Sequence, residues 1–282
     1  MHIVVCIKQV PDSAQIRVHP VTNTIMRQGV PTIINPYDLF SLEEALRLRD
    51  KFGGKVTVLT MGPPMADQAL RKALSIGADA AVLLSDRFFA GSDTLATSFA
   101  LASAIAKIAE SEPVDMVFCG KQTIDGDTAQ VGPGIAKRLD LNQLTYVERI
   151  NAVDLANRTI TVERRAEGGV QVLSTKLPCL VTMLEGTNTV RRGSMADMLR
   201  AARTEVPMWS AAAAGITEIT LCGLKGSPTV VKKVFAPQPR KEKAKQIEVA
   251  GKSADEIAAA TLTALFAADA RLEETLFRQA GH

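Results

Sequence analysis

Short continuous apolar runs alternate with longer amphipathic stretches over roughly the first 145 residues. The runs 3–7 (IVVCI), 55–61 (KVTVLTM), 80–84 (AAVLL) and 115–120 (DMVFCG) show little polar alternation, so they read as strands covered on both faces. Between them lie helical patterns. Residues 36–51 put Leu39, Leu42, Ala45 and Leu46 on one face, with Asn35-Pro36 as the start and Ser41 and Glu44 as a capping box. Residues 66–76 repeat Ala66, Ala69, Leu70, Ala73 and Leu74 before a stop at Gly77. Residues 93–109 are capped by Ser92 or Asp93, with Leu95, Phe99, Ala102 and Ile105 inward. Strands separated by such helices pair in parallel through right-handed crossovers. The fold expected is α/β, a doubly wound, mostly parallel sheet that binds ligands beyond the carboxyl ends of its strands.

After about residue 145 the texture changes. LTYVERI, RTITVERR and GVQVLST alternate apolar and polar residues, which predicts an antiparallel insertion at about 145–175 with one wet face. LPCLVTML (177–184) reads as a buried strand rejoining the main sheet, and a helix follows at about 194–204. Residues 225–245 are rich in Pro and Lys and read as an extended arm. A last helix at about 253–278 carries Ile257, Leu262, Leu265 and Leu272, a stripe for its own core or, the favoured reading, for a partner. The division expected is 1–225 for the α/β domain and 226–282 for a C-terminal arm and helix.

The chain of 282 residues suits one large core with appendages. Aromatic residues make up only 4%, too few for a base-stacking surface, and a net charge of +3 does not call for nucleic acid. The positive charge clusters at Lys225, Lys232, Lys233, Arg240, Lys241, Lys243 and Lys245, as a solvated tail or a docking arm. Cys6, Cys119, Cys179 and Cys222 form no Cys-x-x-Cys pair and fit no metal spacing, so buried free thiols and a reducing compartment are expected. The start MHIVVCIKQV resembles no signal peptide, and no apolar run reaches the ~18 residues of a membrane span. A cytoplasmic protein is expected.

Hydrolytic and acyl-transfer motifs are absent, and so is G-x-G-x-x-G. Chemistry, if any, belongs to a bound cofactor. The informative stretch is GKQTIDGDTAQVGPGIAKRL, residues 120–139, which follows a strand and opens a helix. Gly120, Gly126, Gly132 and Gly134 would let backbone approach a ligand. The amides of about Thr128 to Gly132 would point at a phosphate, with Thr128 and Gln130 as donors, Asp127 as N-cap and Asp125 on a ribose hydroxyl. A plain strand–turn–helix with a polar cap would read the same way. Cys6 to Gln9, Asn35, Met61 to Pro63 and Gly91 to Thr94 should converge on the same sheet edge.

IKQVPD, the INPYD–LEEALRL stretch, GADAAV and above all GKQTIDGDTAQVGPGIA resemble the electron transfer flavoprotein beta subunit family, from residue 1 to about 205. The resemblance implies an adenine nucleotide alpha hydrolase-like fold and a heterodimer with an alpha subunit that carries FAD. The beta chain holds AMP in ordinary members. In electron-bifurcating members it holds a second FAD, which takes a hydride from NADH and sends its electrons along two paths. DGDTAQVGP, GVPTIINPYD and AGSDTLATS resemble the bifurcating group. On that resemblance Gly120, Gln122, Asp125, Gly126, Asp127, Thr128, Ala129, Gln130 and Val131 hold pyrophosphate and ribose. Cys6, Asn35 and Met61 line the nucleotide pocket, and Asp38, Thr94 and Thr97 lie toward the flavin. Met195 falls in a recognition loop at about 184–204, where the family usually has leucine for docking a dehydrogenase or quinone reductase. Glu163 matches a contact to the alpha subunit, or is a solvated strand charge. An electron carrier with no catalytic side chain follows. The alternative is a non-bifurcating subunit with structural AMP and acyl-CoA dehydrogenase-type partners. An ATP-pyrophosphatase is disfavoured, because KQVPDS stands where a Ser-Gly-Gly-x-Asp-Ser loop is needed.

Overall fold

A computed structural model describes residues 1–12, 17–18, 25–26, 31–232, 246–269 and 271–272. The chain divides into two compact units, Met1–Ala236 and Pro237–His282. In the first, strands β1 (His2–Cys6), β2 (Gln9–Pro11), β3 (Arg17–Val18), β4 (Ile25–Met26) and β5 (Thr32–Ile34) precede helix α1 (Pro36–Phe52). Then come β6 (Lys55–Met61), α2 (Asp67–Ile76), β7 (Ala80–Leu84), α3 (Thr94–Ala109), β8 (Met116–Gly120) and α4 (Val131–Arg138). The rest is β9 (Asn142–Asp154), β10 (Thr159–Ala166), β11 (Gly169–Lys176), β12 (Cys179–Met183), α5 (Met195–Arg203) and β13 (Met208–Trp209). The second unit carries α6 (Ala254–Ala268), opened by a Ser253–Glu256 capping box.

Nine strands form one sheet in the order β11-β10-β9-β12-β8-β1-β6-β7-β13. All pairings from β9 to β13 are parallel, while β10 pairs antiparallel with both β9 and β11. The alternating residues of the central strands feed two cores. Ile3, Val5, Val56, Val58 and Phe118 pack with α1, α2 and Ala201 of α5 on one face. Val4, Cys6, Leu59, Val117 and Cys119 pack with α3 and α4 on the other. This is the doubly wound arrangement expected, and the antiparallel extension sits at one edge. From β1 the chain builds outward to β6 and β7, then returns to place β8 on β1's other side. The β1–β8 junction is therefore the topological switch point, where such sheets leave a crevice.

Local expectations hold unevenly. Asp93 caps α3, accepting from the Leu95 and Ala96 amides at 2.9 and 3.1 Å. Gly77 stops α2 with a positive φ of 131°. Ser41 and Glu44 form no capping box. The helix starts five residues before Ser41, whose Oγ donates to the Tyr37 carbonyl at 3.4 Å. Leu95 faces solvent rather than the core, while Ala96 beside it is buried. All four cysteines are buried and unpaired. Residues 233–245 of the expected arm, and the last part of the helix expected to reach 278, lie outside the described residues. Among the described residues no helix is long and apolar enough to cross a membrane.

Candidate functional site

The N-terminus of α1 is wedged behind the fork between β1 and β8. Asp38 is buried there. Its Oδ2 accepts from the Lys8 amide at 2.8 Å and its Oδ1 from the Gly120 amide at 3.1 Å. Burial pushes its carboxyl up to about 7, against the opposing pull of hydrogen bonds from Asn35, Lys8 and Gly120. Asn35, also buried, donates from Nδ2 to the Gln122 carbonyl at 2.9 Å and accepts at Oδ1 from the Ile124 amide at 3.1 Å. Two side chains thus fix both strand ends and the start of the loop after β8. Gly120 is obligatory, because a Cβ there would come within 2.6 Å of Tyr37 Cβ.

In front of this wedge lies a cavity of about 440 Å³. Cys6, Ile7 and Lys8 line it from the end of β1, Met61 from the end of β6, and Asp93, Thr94 and Thr97 from the start of α3. The loop after β8 supplies Gly120 to Thr123, Gly126 and Thr128 to Gly132. In this loop Asp127 and Ala129 take positive φ of 53° and 54°. The left-handed conformation is unfavourable for a residue with a Cβ, and alternating it with right-handed residues turns successive amides to one side. The amides of Thr128, Ala129, Gln130, Val131 and Gly132 donate to no protein acceptor among the described residues. They lead into the first turn of α4, which begins at Val131 and where the helix dipole favours an anion.

The expected site residues therefore divide. Cys6, Asp38, Met61, Thr94, Thr97, Gly120, Gln122, Gly126, Thr128, Ala129, Gln130 and Val131 line one cavity. Asn35 stands behind its wall and not in it. Asp127 does not cap α4, whose first residue is Val131. It accepts instead from Gln122 Nε2 at 2.7 Å. Gln130 Oε1 accepts from Thr94 Oγ1 at 2.8 Å, tying the loop to α3. Gly134 serves packing, since a Cβ there would lie 2.7 Å from Ser98, while Gly132 lines the cavity and also packs, since a Cβ there would lie 2.8 Å from Thr182. Asp125 is held by Lys8, whose Nζ reaches its two oxygens at 2.9 and 2.8 Å. Partial burial raises that carboxyl, but the lysine outweighs it and the group stays below the usual range. A hydrogen bond with the neighbouring Cys6 thiol, and then burial, push the Cys119 thiol well up, so Cys119 is no ready nucleophile.

Two expected partner residues lie away from the cavity. Glu163, on β10, accepts from Asn151 Nδ2 at 3.0 Å and faces Arg149 at 3.8 Å. Met195 opens α5 and is 72% exposed, beyond a Ser194–Asp197 capping box. The segment before it is anchored by Arg191, whose amide and Nε donate to buried Glu43 of α1 at 3.0 and 2.9 Å. Among the described residues no cluster of His, Cys, Asp or Glu could hold a metal ion.

A doubly wound sheet with a cavity at its switch point places this chain in the class of α/β proteins whose ligand sites lie beyond the carboxyl ends of the strands. The Electron transfer flavoprotein domain matches residues 22–214. The chain is 69% identical over 277 residues to Protein FixA of Sinorhizobium fredii, covering 98% of this chain and 97% of that one. It is 67% identical over 280 residues to Protein FixA of Azotobacter vinelandii, covering 99% and 100%. It is 48% identical over 265 residues to the Electron transfer flavoprotein subunit beta of Clostridium acetobutylicum, covering 94% and 98%. The chain belongs to the electron transfer flavoprotein family and is an electron transfer protein of the beta type.

Proposed function

We propose that this chain pairs with an electron transfer flavoprotein alpha subunit and holds FAD in the cavity at its switch point. The observation that carries this reading is the run of five amides, Thr128 to Gly132, in residues that line the cavity and with no protein acceptor among the described residues. Those amides receive the diphosphate, with the α4 dipole behind them. Asp125 meets the ribose. Cys6, Met61, Thr94 and Thr97 flank the rest of the ligand, while Asn35 and Asp38 hold the fork that shapes it. FAD, when bound, supplies hydride acceptance from NADH and electron delivery to the alpha-subunit FAD and to a second acceptor. No side chain of this chain needs to act as acid or base. Its residues bind, orient and exclude water. Glu163 faces the alpha subunit, and exposed Met195 docks the acceptor, a dehydrogenase or quinone reductase, as a flexible apolar knob.

A second reading has an observation of its own. A cavity of 440 Å³ is near the lower end of the range of about 300–1,000 Å³ for small-molecule sites. A mononucleotide fits that size, and a dinucleotide would extend past it toward a partner. Structural AMP is therefore the alternative occupant. Identifying the nucleotides released when the copurified complex is denatured decides between them. Two FAD per heterodimer supports the first reading. One FAD and one AMP replaces it with the second, and no nucleotide beyond the alpha subunit's FAD defeats both.

A further inference from the structure

The chain beyond β13 is fastened to the loop between β7 and α3. Ser92 Oγ accepts from the Gly223 amide at 3.1 Å, and the buried Ser227 Oγ accepts from the Asp93 amide at 2.8 Å. Asp93 divides its carboxylate between two tasks. Its Oδ1 accepts from the Leu95 and Ala96 amides that open α3, and its Oδ2 accepts from the Thr229 amide and hydroxyl at 3.1 and 2.8 Å. Close packing makes this seat specific. A Cβ on Gly223 would come within 2.3 Å of the Phe88 carbonyl oxygen, and one on Gly226 within 2.1 Å of the Leu221 carbonyl.

Ser92, Asp93, Thr94 and Thr97 line the cavity at the switch point, and so does Val231. Val231 stands two residues past the Thr229 clasp, and two residues reach at most about 7 Å. The clasp therefore sets where Val231 meets the rim. Val231 is nonetheless 80% exposed. A single exposed valine is ordinary on a protein surface. This one differs in its place, because an occupant of the cavity would cover it. Valine offers neither donor nor charge, so the part of a ligand it suits is apolar surface. In a nucleotide that is a flat ring and not a phosphate.

We infer that Val231, seated by the Asp93–Thr229 clasp, closes the cavity over a ring of the bound nucleotide. The inference rests on the nucleotide reading above and adds a wall to it. That wall comes from the stretch expected to be an extended arm, beyond the α/β domain boundary expected at 225. Val231 is the binding residue, and Asp93 and Thr229 are positioning residues.

The test follows nucleotide release from the copurified heterodimer after dilution, with each released nucleotide identified and counted. The alpha subunit's FAD serves as the internal control. In Val231→Ala the nucleotide of this chain should leave about threefold to tenfold faster, as for loss of part of a buried valine, while the control FAD leaves at the wild-type rate. Val231→Asp should accelerate release more than about tenfold, and Val231→Leu should stay within about twofold of wild type. Thr229→Val loses the hydroxyl but keeps the amide, so it should fall between wild type and Val231→Ala, and Thr229→Ser should release as wild type. The identity of the fast-released compound, FAD or AMP, states whose ring is covered. Unchanged release in Val231→Asp overturns the role of Val231 and leaves the nucleotide site standing. Equal acceleration of both nucleotides, or a heterodimer that comes apart, also overturns it and gives Val231 to the partner's interface. A wild-type heterodimer that releases no nucleotide beyond the control FAD overturns both the role and the site.

Discussion

The two walls of the crevice are built on opposite principles. On the α1 side Asn35 and Asp38 are buried, and each bonds two backbone groups of the fork and its loop. On the α4 side five consecutive amides have no protein partner among the described residues, and two non-glycine residues hold positive φ. The first amides of a helix have no intrahelical partner, so this partly exposed run at the cavity wall stays open to water or to a ligand. The contrast teaches that one wall is held by its own hydrogen bonds, while the other leaves its donors open toward the place where the ligand is proposed to sit.

The largest expected effect breaks the satisfied wall by pH. The folded state holds a proton on Asp38 up to about 7, while the unfolded chain releases it near 3.8. Stability is therefore greatest below about pH 4 as far as this group is concerned, and it falls as pH rises toward 7. The fall is on the order of 4 kcal/mol at about 1.4 kcal/mol per pKa unit. Denaturant unfolding across that window should show it, and Asp38→Asn should flatten it. A fall that persists in the variant would assign it to another group. Next comes Asn35→Leu, which strands the Gln122 carbonyl and the Ile124 amide and should destabilise by about 3 kcal/mol. A loss below about 1 kcal/mol would mean the loop finds other partners. The smallest effect sharpens the open wall. Ala129→Gly relieves a left-handed alanine and should stabilise by up to about 1 kcal/mol, while nucleotide binding weakens slightly because the loop is less preorganised. A measured destabilisation would show that Ala129 packs more than it strains.

Most of the sheet was legible because its central strands are continuous apolar runs that only a two-sided core requires. The helices were legible from their periodicity, and the amide run from a glycine-rich stretch between a strand and a helix. What escaped depended on distant partners or on a shifted boundary. Asp127 read as a cap only while α4 was placed too early. Ser41 looked like a cap because Pro36 already starts the helix five residues before it. The glycine at 134 read as ligand-facing, yet it packs on Ser98, which belongs to another element. Nothing local distinguishes Lys8 from Lys121, since the first finds Asp125 across 117 positions and the second finds a tyrosine from β9.

The fork between β1 and β8 also has a kinetic meaning. His2 at the start of β1 donates its amide to Asp115, 113 positions away, just ahead of β8. Closing so long a stretch of chain carries an entropic penalty before any contact rewards it. The crevice at the switch point is thus among the last features a folding molecule can acquire. Substitutions that slow this late pairing would leave the central strand's edge exposed to other chains, so aggregation during folding should precede any loss visible in the finished protein.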